Sequence, residues 1–183
     1  IASLGLLLIA NILLGIYYLE PAELGLLAVI GGAFSLTIVL AEFGALTLGV
    51  NFDLKDKVHL VAYFYINLFL SIILSFIVFI IYYYIDDGGI SKNLFSFLCL
   101  TLILTSIGFA GRVGLKRELK FWYISCIEFL TVFITLIYAS WLIFNKQYFI
   151  AAIIITFFPM ALRGVFFFLI FLKKYFVINI SFK

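Results

Sequence analysis

The sequence predicts an all-α integral membrane protein built as a bundle of six transmembrane helices. Three observations carry this prediction. The mean hydropathy is +1.31, six long apolar runs follow one another, and basic residues concentrate in alternate loops. Hydrophobic residues make up 67% of the 183 residues, against about 45–50% in soluble domains. Because about 20 residues cross about 30 Å of hydrocarbon, the chain has room for six crossings and short loops.

The six helices are predicted to form one domain, 1–183, with short polar connections. We expect them at about 1–18, 24–49, 59–85, 93–111, 121–144 and 148–172. Glu20, Pro21 and Glu23 are a start signal for the second helix, because proline suits the first turn and a carboxylate there stabilises exposed N–H groups. The first run has no basic leader or cleavage site, so we expect no signal peptide. We expect the chain to be part of a longer protein.

Basic residues are divided unequally between the two sets of loops. If residue 1 lies on the cytoplasmic side, the inner loops hold nine Lys and Arg residues and the outer loops two. The inner set is Lys55, Lys57, Arg112, Lys116, Arg117, Lys120, Lys173, Lys174 and Lys183, and the outer set is Lys92 and Lys146. This is the positive-inside pattern of short loops. It predicts cytoplasmic ends for these 183 residues and a cytoplasmic elbow at 112–121, which contains Lys116, Arg117, Glu118 and Lys120.

Three ionised side chains interrupt the apolar runs: Glu42, Glu128 and Arg163. Near the centre of a span each costs at least about 2.5 kcal/mol on insertion scales. We expect them at similar depth in the cytoplasmic half, with Glu42 and Arg163 able to pair. Two interpretations stay open: a structural salt bridge, or a hydrated cavity in which Arg163 meets an anion and a carboxylate binds a coupling ion.

Polar residues also recur along single faces of the predicted helices. The third helix carries His59, Tyr63, Asn67, Ser71 and Ser75, and the fourth carries Thr101, Thr105, Gly108 and Arg112. Ser and Thr in spans usually pack against other helices, at about 0.6 kcal/mol per interhelical bond. His59 is either an interface residue or a proton-coupling residue. The small residues Ala28, Gly32, Ala41, Ala45 and Gly49 predict that the second helix is a closely packed inner helix.

Several classes of function lack support in the sequence. No HExxH motif, Gly-rich phosphate loop or nucleophile elbow is present, so we expect no enzyme and no cofactor. Cys99 and Cys126 fall inside apolar runs without metal-ligand spacing, which predicts neither a disulfide nor a metal site. The net charge of +3 comes from short loops and forms no soluble basic face for nucleic acid.

Three short segments resemble motifs of one family, in the same order. Leu19–Gly25 (LEPAELG) resembles the LxPxxFG turn before the second helix of polysaccharide exporters, with Leu24 in place of the usual Phe. Leu40–Gly44 (LAEFG) is similar to their acidic-x-Gly element. Lys116–Phe121 (KRELKF) resembles the QRELRF elbow of the lipopolysaccharide and colanic-acid exporter branch. These exporters belong to the multidrug/oligosaccharidyl-lipid/polysaccharide superfamily.

The resemblance implies a bundle like the first of two six-helix lobes of a MATE-like transporter. It implies a flippase that moves lipid-linked oligosaccharide or O-antigen intermediates across the bacterial inner membrane by alternating access through a cationic cavity. Candidate substrate-path residues are then Arg163, Arg112 and Asn67, and candidates for ion coupling or gating are Glu42, Glu128 and His59. The implied partners are the lipid-linked oligosaccharide, membrane lipid, a C-terminal lobe and polysaccharide assembly proteins.

Three alternatives compete with this interpretation. A six-helix channel or pore subunit needs a re-entrant segment, and no loop is long enough to hold one. A multidrug-type exporter shares the implied fold. A membrane enzyme acting on lipid-linked sugars lacks a visible catalytic constellation in the sequence.

Overall fold

The structure is a computed structural model that describes residues 2–42, 57–85 and 92–173. These residues form six α-helices and no β-strand, which confirms the all-α prediction. The helices are α1 (Ala2–Tyr17), α2 (Pro21–Glu42), α3 (Lys57–Ile85), α4 (Lys92–Arg117), α5 (Phe121–Phe144) and α6 (Tyr148–Phe171). Four of them, α2, α4, α5 and α6, contain stretches long and apolar enough to cross a membrane. The other two contain shorter apolar stretches, Gly5–Tyr17 and Phe64–Ile80.

Helix α6 lies at the centre of the described bundle, because it contributes to each of its four buried apolar clusters. The first cluster joins α6 to α1 and α5 through Leu14, Val132 and Ile155, and the second joins it to α2 and α4 through Phe34, Leu102 and Phe157. The third joins α6 to α3 and α4 through Phe64, Phe109 and Phe171. The fourth joins it to α4 and α5 through Leu115, Ile124 and Phe167. Its most extensive contact is with α4. Helix association of this kind in lipid depends on close van der Waals packing.

The contact between α4 and α6 is made at glycines. A Cβ atom added to Gly108 would overlap the backbone of Gly164, and one added to Gly164 would overlap the backbone of Leu104. Gly111 lies in the same way against the backbone of Phe167. Small residues let two helix backbones approach closely in a membrane. Helix α4 is accordingly an inner helix, with 61% of its apolar stretch buried.

Helix α2 is peripheral in the described bundle, which contradicts the prediction from its small residues. Only 17% of its apolar stretch is buried, and a Cβ atom at Gly25, Gly31 or Gly32 would meet no atom within 4 Å. Small residues permit a close approach, but a facing helix with a matching surface is needed to produce one. Ala45 and Gly49, from the same prediction, lie outside the described residues.

The start of α2 follows the predicted signal. The backbone N–H of Glu20 donates to Oε2 of Glu23 at 3.0 Å, which is one half of a capping box. Pro21 occupies the first helical position, where its missing N–H costs nothing. The helix therefore begins at Pro21 and not at the predicted residue 24.

Helix α4 continues to Arg117, past its predicted end at residue 111. Most of the predicted elbow at 112–121 is therefore helical, and only the turn Glu118–Lys120 connects α4 to α5. The prediction ended the helix where the charges begin. Cations such as Lys116 and Arg117 are in fact favourable in the last turn of a helix, because they offset the exposed carbonyl groups there.

The turns after α4 and α5 share one geometry. In the first, the N–H of Lys120 donates to the carbonyl of Leu115 and the N–H of Leu119 to that of Lys116, both at 3.0 Å. This pair of bonds is a Schellman motif. It places Leu119 in the left-handed region, at φ 56°. Lys146 takes the same role after α5, at φ 60°.

Candidate functional site

Arg112, Glu128 and Arg163 come from three helices and lie at similar depth. Arg112 is five residues before the end of α4, Glu128 seven after the start of α5, and Arg163 eight before the end of α6. At 1.5 Å per residue, these positions are about 8–12 Å from the end of the bundle that carries the α4–α5 turn. We call it the basic end, because Lys116, Arg117 and Lys120 lie there. The predicted common depth of Glu128 and Arg163 is confirmed.

Arg112 and Glu128 form an ion pair between α4 and α5. Nη2 of Arg112 donates to Oε1 of Glu128 at 3.3 Å. The two side chains are 35% and 21% exposed, so the pair is partly shielded from solvent. Nε of Arg112 is buried and has no hydrogen-bond partner among the described residues. The predicted pair of Glu42 and Arg163 stays a prediction, because the side chain of Glu42 lies outside the described residues.

The guanidinium of Arg163 is held to its own helix through one nitrogen. Nε donates to the carbonyl of Pro159 at 3.1 Å. Arg163 is attracted by Glu128 and repelled by Arg112, but it forms no ion pair in the described part of the chain. The Nη atoms of Arg163 therefore remain without a hydrogen bond to any described residue.

Arg112 and Arg163 line one pocket, which we call the cationic pocket. Its volume is about 150 Å³, and its wall contains Ile38, Thr105, Gly108, Phe109, Arg112, Met160, Arg163, Gly164 and Phe167. Gly108 lies one turn before Arg112, and Gly164 follows Arg163 directly. The glycine contact between α4 and α6 thus brings the two guanidinium groups to the same cavity.

Two guanidinium groups line the cationic pocket, and the carboxylate of Glu128, which is paired with Arg112 outside the wall, reduces the net charge of the three residues to +1. Guanidinium groups present N–H donors in a planar fork that matches phosphate and carboxylate oxygens. In surroundings of low dielectric constant, such contacts are stronger than in water. The pocket can therefore bind an anion of phosphate size. Among the described residues, no group of three or more His, Cys, Asp or Glu side chains could hold a metal ion.

Asn67 is not part of the wall of the cationic pocket. Its side chain is 1% exposed, and neither Nδ2 nor Oδ1 has a hydrogen-bond partner in the described residues. Ser71 and Ser75 are also buried, so the predicted polar face of α3 does point inward. Oγ of Ser75 donates to the carbonyl of Cys99 on α4 at 3.5 Å. A role for Asn67 in the substrate path stays a prediction.

The remaining predicted site residues lie toward the ends of helices. His59 belongs to the first turn of α3, and its side chain lies outside the described residues. Lys116 and Arg117 occupy the last turn of α4. In the turn that follows, Nζ of Lys120 lies 2.9 Å from Oε2 of Glu118. Among the described residues, the structure therefore brings together Arg112, Glu128 and Arg163 from the candidates for substrate binding, ion coupling and gating.

A second polar pocket lies at the opposite end of the bundle, and it was not among the predicted sites. It has a volume of about 380 Å³ and is lined by residues of the α1–α2 and α5–α6 turns, among them Tyr18, Glu20, Glu23, Lys146 and Tyr148. The rings of Tyr18 and Tyr148 stack with centroids 4.8 Å apart. The available signal was the aromatic and charged character of two loops on the same side.

Comparison with known proteins gives a family match. A family model described as polysaccharide biosynthesis protein matches residues 18–183. No curated protein and no solved structure matches the chain significantly. The matched region begins in the α1–α2 turn and includes both arginines of the cationic pocket and Glu128.

Proposed function

The chain belongs to the polysaccharide biosynthesis protein family, and on this premise we propose that it is one lobe of a flippase or exporter. The cargo is a lipid-linked oligosaccharide or polysaccharide intermediate. It crosses the bacterial inner membrane by alternating access between this lobe and a C-terminal lobe. Membrane lipid and polysaccharide assembly proteins are the further partners, and the lobe itself carries out no catalysis.

One observation carries this proposal: two arginines on neighbouring helices share a cavity within the membrane-spanning bundle. An uncompensated positive charge among apolar helices is costly, and an anionic ligand lowers that cost when it binds. Lipid-linked glycan intermediates have such an anion in the phosphate groups between lipid and sugar. Because the pocket carries a net charge of +1, it also disfavours the organic cations that a multidrug-type exporter would bind.

The geometry supports different roles for the two arginines. Arg112 is already paired with Glu128, whereas Arg163 has no ionic partner in the described residues. Arg163 is therefore the primary contact for the phosphate or for acidic sugars of the cargo. Glu128 acts as a gate, since its bond to Arg112 can open when an anion enters. Glu42 and His59 remain candidates for ion coupling.

The test is export in cells that carry variants of the full-length protein. Arg163→Ala is expected to reduce the amount of polymer at the cell surface at least about tenfold, because losing a charge-assisted contact of about 1.5–3 kcal/mol weakens anion binding. Arg163→Lys is expected to restore export only in part, since an ammonium group keeps the charge and loses the planar fork. Polymer is measured relative to the amount of each variant in the membrane.

Lys146→Ala is the matched control, because it removes an exposed cation at the opposite end of the bundle and should leave export unchanged. Wild-type export by Arg163→Ala at a normal membrane level would remove Arg163 from the substrate path. A loss of export in both Lys146→Ala and Arg163→Ala would show that net charge, and not the cationic pocket, controls export.

A further inference from the structure

Another cavity, distinct from both polar pockets, lies beside the cationic pocket between α2, α3 and α4. Its volume is about 150 Å³. Ala33 and Phe34 of α2, Val78 of α3, and Phe95, Leu98 and Cys99 of α4 form much of its wall. We call it the apolar pocket. Its wall contains neither Asn67 nor any residue of the polar pocket at the α1–α2 turn.

The few polar side chains of the apolar pocket have no hydrogen-bond donor left to offer. The hydroxyl of Thr37 donates to the carbonyl of Ala33 at 2.7 Å. The hydroxyl of Ser75 donates to the carbonyl of Cys99 at 3.5 Å, and the thiol of Cys99 donates to the carbonyl of Ser75 at 3.8 Å. The two hydroxyl oxygens can still accept, but a polar occupant would lose most of its own hydrogen bonds on entry, which costs free energy. The wall therefore selects a hydrocarbon occupant.

The apolar and cationic pockets lie along one continuous stripe of α4. Phe95, Leu98, Cys99 and Leu102 line the first, and Thr105, Gly108, Phe109 and Arg112 line the second. These positions repeat at helical spacing, so they share one face over about 25 Å of helix. On α2 the border lies between Thr37 and Ile38. On α4 the surface thus changes from apolar at Leu102 to cationic at Arg112, which lies about 15 Å further along the helix.

We propose that the apolar pocket holds the hydrocarbon chain of the lipid-linked cargo whose phosphate group binds in the cationic pocket. That the phosphate group binds in the cationic pocket rests on the proposed function. That the hydrocarbon chain binds in the apolar pocket rests on the apolar wall and on its continuity with Arg112. The pocket positions the anion by holding the chain at a fixed distance from it, because both sections belong to the same helix face.

The first experiment maps contacts in the wild-type full-length protein. The probe is a long-chain alkyl phosphate with a diazirine in its chain, and the comparison is the alcohol with the same chain and diazirine. After irradiation, mass spectrometry locates the labelled peptides. We expect the alkyl phosphate to label the apolar-pocket residues of α2 and α4 more strongly than the alcohol does. Equal labelling by the two probes overturns the proposal. So does the absence of label in the apolar pocket because a second protein molecule packs on α2.

The second experiment separates the two halves by calorimetric titration with the alkyl phosphate and with inorganic pyrophosphate. Ala33→Phe fills the apolar pocket, and Ala28→Phe is its matched control, on the exposed opposite face of α2. We expect Ala33→Phe to weaken alkyl phosphate binding roughly tenfold and to leave pyrophosphate binding unchanged. We expect Arg163→Gln to weaken binding of both ligands, and Ala28→Phe to weaken neither.

The outcomes distinguish the two proposals. Wild-type alkyl phosphate binding by Ala33→Phe, together with weakened binding by Arg163→Gln, overturns the hydrocarbon site and supports the anion site. Weakened alkyl phosphate binding by Ala33→Phe, together with wild-type binding by Arg163→Gln, overturns the anion site of the proposed function and supports the hydrocarbon site. Because the labelling experiment needs no variant, it tests the pocket even if Ala33→Phe fails to fold.

Discussion

Gly108 of α4 and Gly164 of α6 face each other so closely that neither position has room for a Cβ atom. This contact does more than pack two helices. Arg112 lies one turn after Gly108, and Arg163 directly precedes Gly164, so the same approach brings both guanidinium groups to one cavity. The packing of the bundle and the assembly of its cationic pocket therefore depend on the same two residues.

Gly164→Ala is expected to destabilise the protein. The added methyl group overlaps the backbone of Leu104, so the helices must separate, and overpacking of this kind costs about 1–3 kcal/mol. The measurement is thermal unfolding of the purified protein in detergent. Gly32→Ala is the control, because its methyl group meets no atom within 4 Å. Equal unfolding temperatures for the two variants would contradict the close contact.

The Arg112–Glu128 pair is expected to show measurable coupling in a double-mutant cycle with Arg112→Gln and Glu128→Gln. The pair is partly shielded, so we expect a coupling free energy of about 1 kcal/mol, within the range found for residues in contact. Fully exposed pairs typically give about 0.2–1 kcal/mol, so the expected value lies at the upper end of that range. A coupling free energy of zero within error would mean that Glu128 does not form an ion pair with Arg112.

Leu119→Gly is expected to stabilise the α4–α5 turn. A left-handed conformation costs an L-residue roughly 1–2 kcal/mol, and glycine avoids that cost. The free energy of unfolding should rise by up to about 1 kcal/mol after the greater chain entropy of glycine is deducted. Ser140→Gly, at an exposed position inside α5, should lower it by about 0.5–1 kcal/mol. Destabilisation by both substitutions to a similar extent would argue against a left-handed Leu119.

Asn67→Leu is expected to raise the free energy of unfolding by about 1–3 kcal/mol, since it removes a buried amide that has no partner among the described residues. Chemical unfolding in mixed micelles gives the comparison with wild type. Thr135→Val is the control, because the Thr135 hydroxyl is buried but donates to the carbonyl of Thr131 at 2.7 Å. If Asn67→Leu proves destabilising, the amide has a partner in the native membrane, and export by this variant should then be measured.

The elements of the bundle were largely predictable, and the errors have specific causes. The Pro21 start was signalled by its capping residues, whereas the end of α4 was set too early because Arg112 and Lys116 resemble loop residues in composition. The common depth of Glu128 and Arg163 followed from counting residues along each helix. The Arg112–Glu128 pair was not predicted, since the two residues are 16 positions apart and no local pattern relates the rotation of α4 to that of α5.

The sequence by itself determined the membrane-embedded helical bundle, the order of its helices and the positions of Glu128 and Arg163 along them. These are properties of single segments, because each span must satisfy its own backbone hydrogen bonds and match the bilayer thickness. Only the tertiary structure decided that α4 and α6, and not α2, form the inner contact, and that Arg112 takes Glu128 as its partner. Lipid is as apolar as the helices, so helix hydrophobicity does not select neighbours, and the choice depends on the fit of one surface to another.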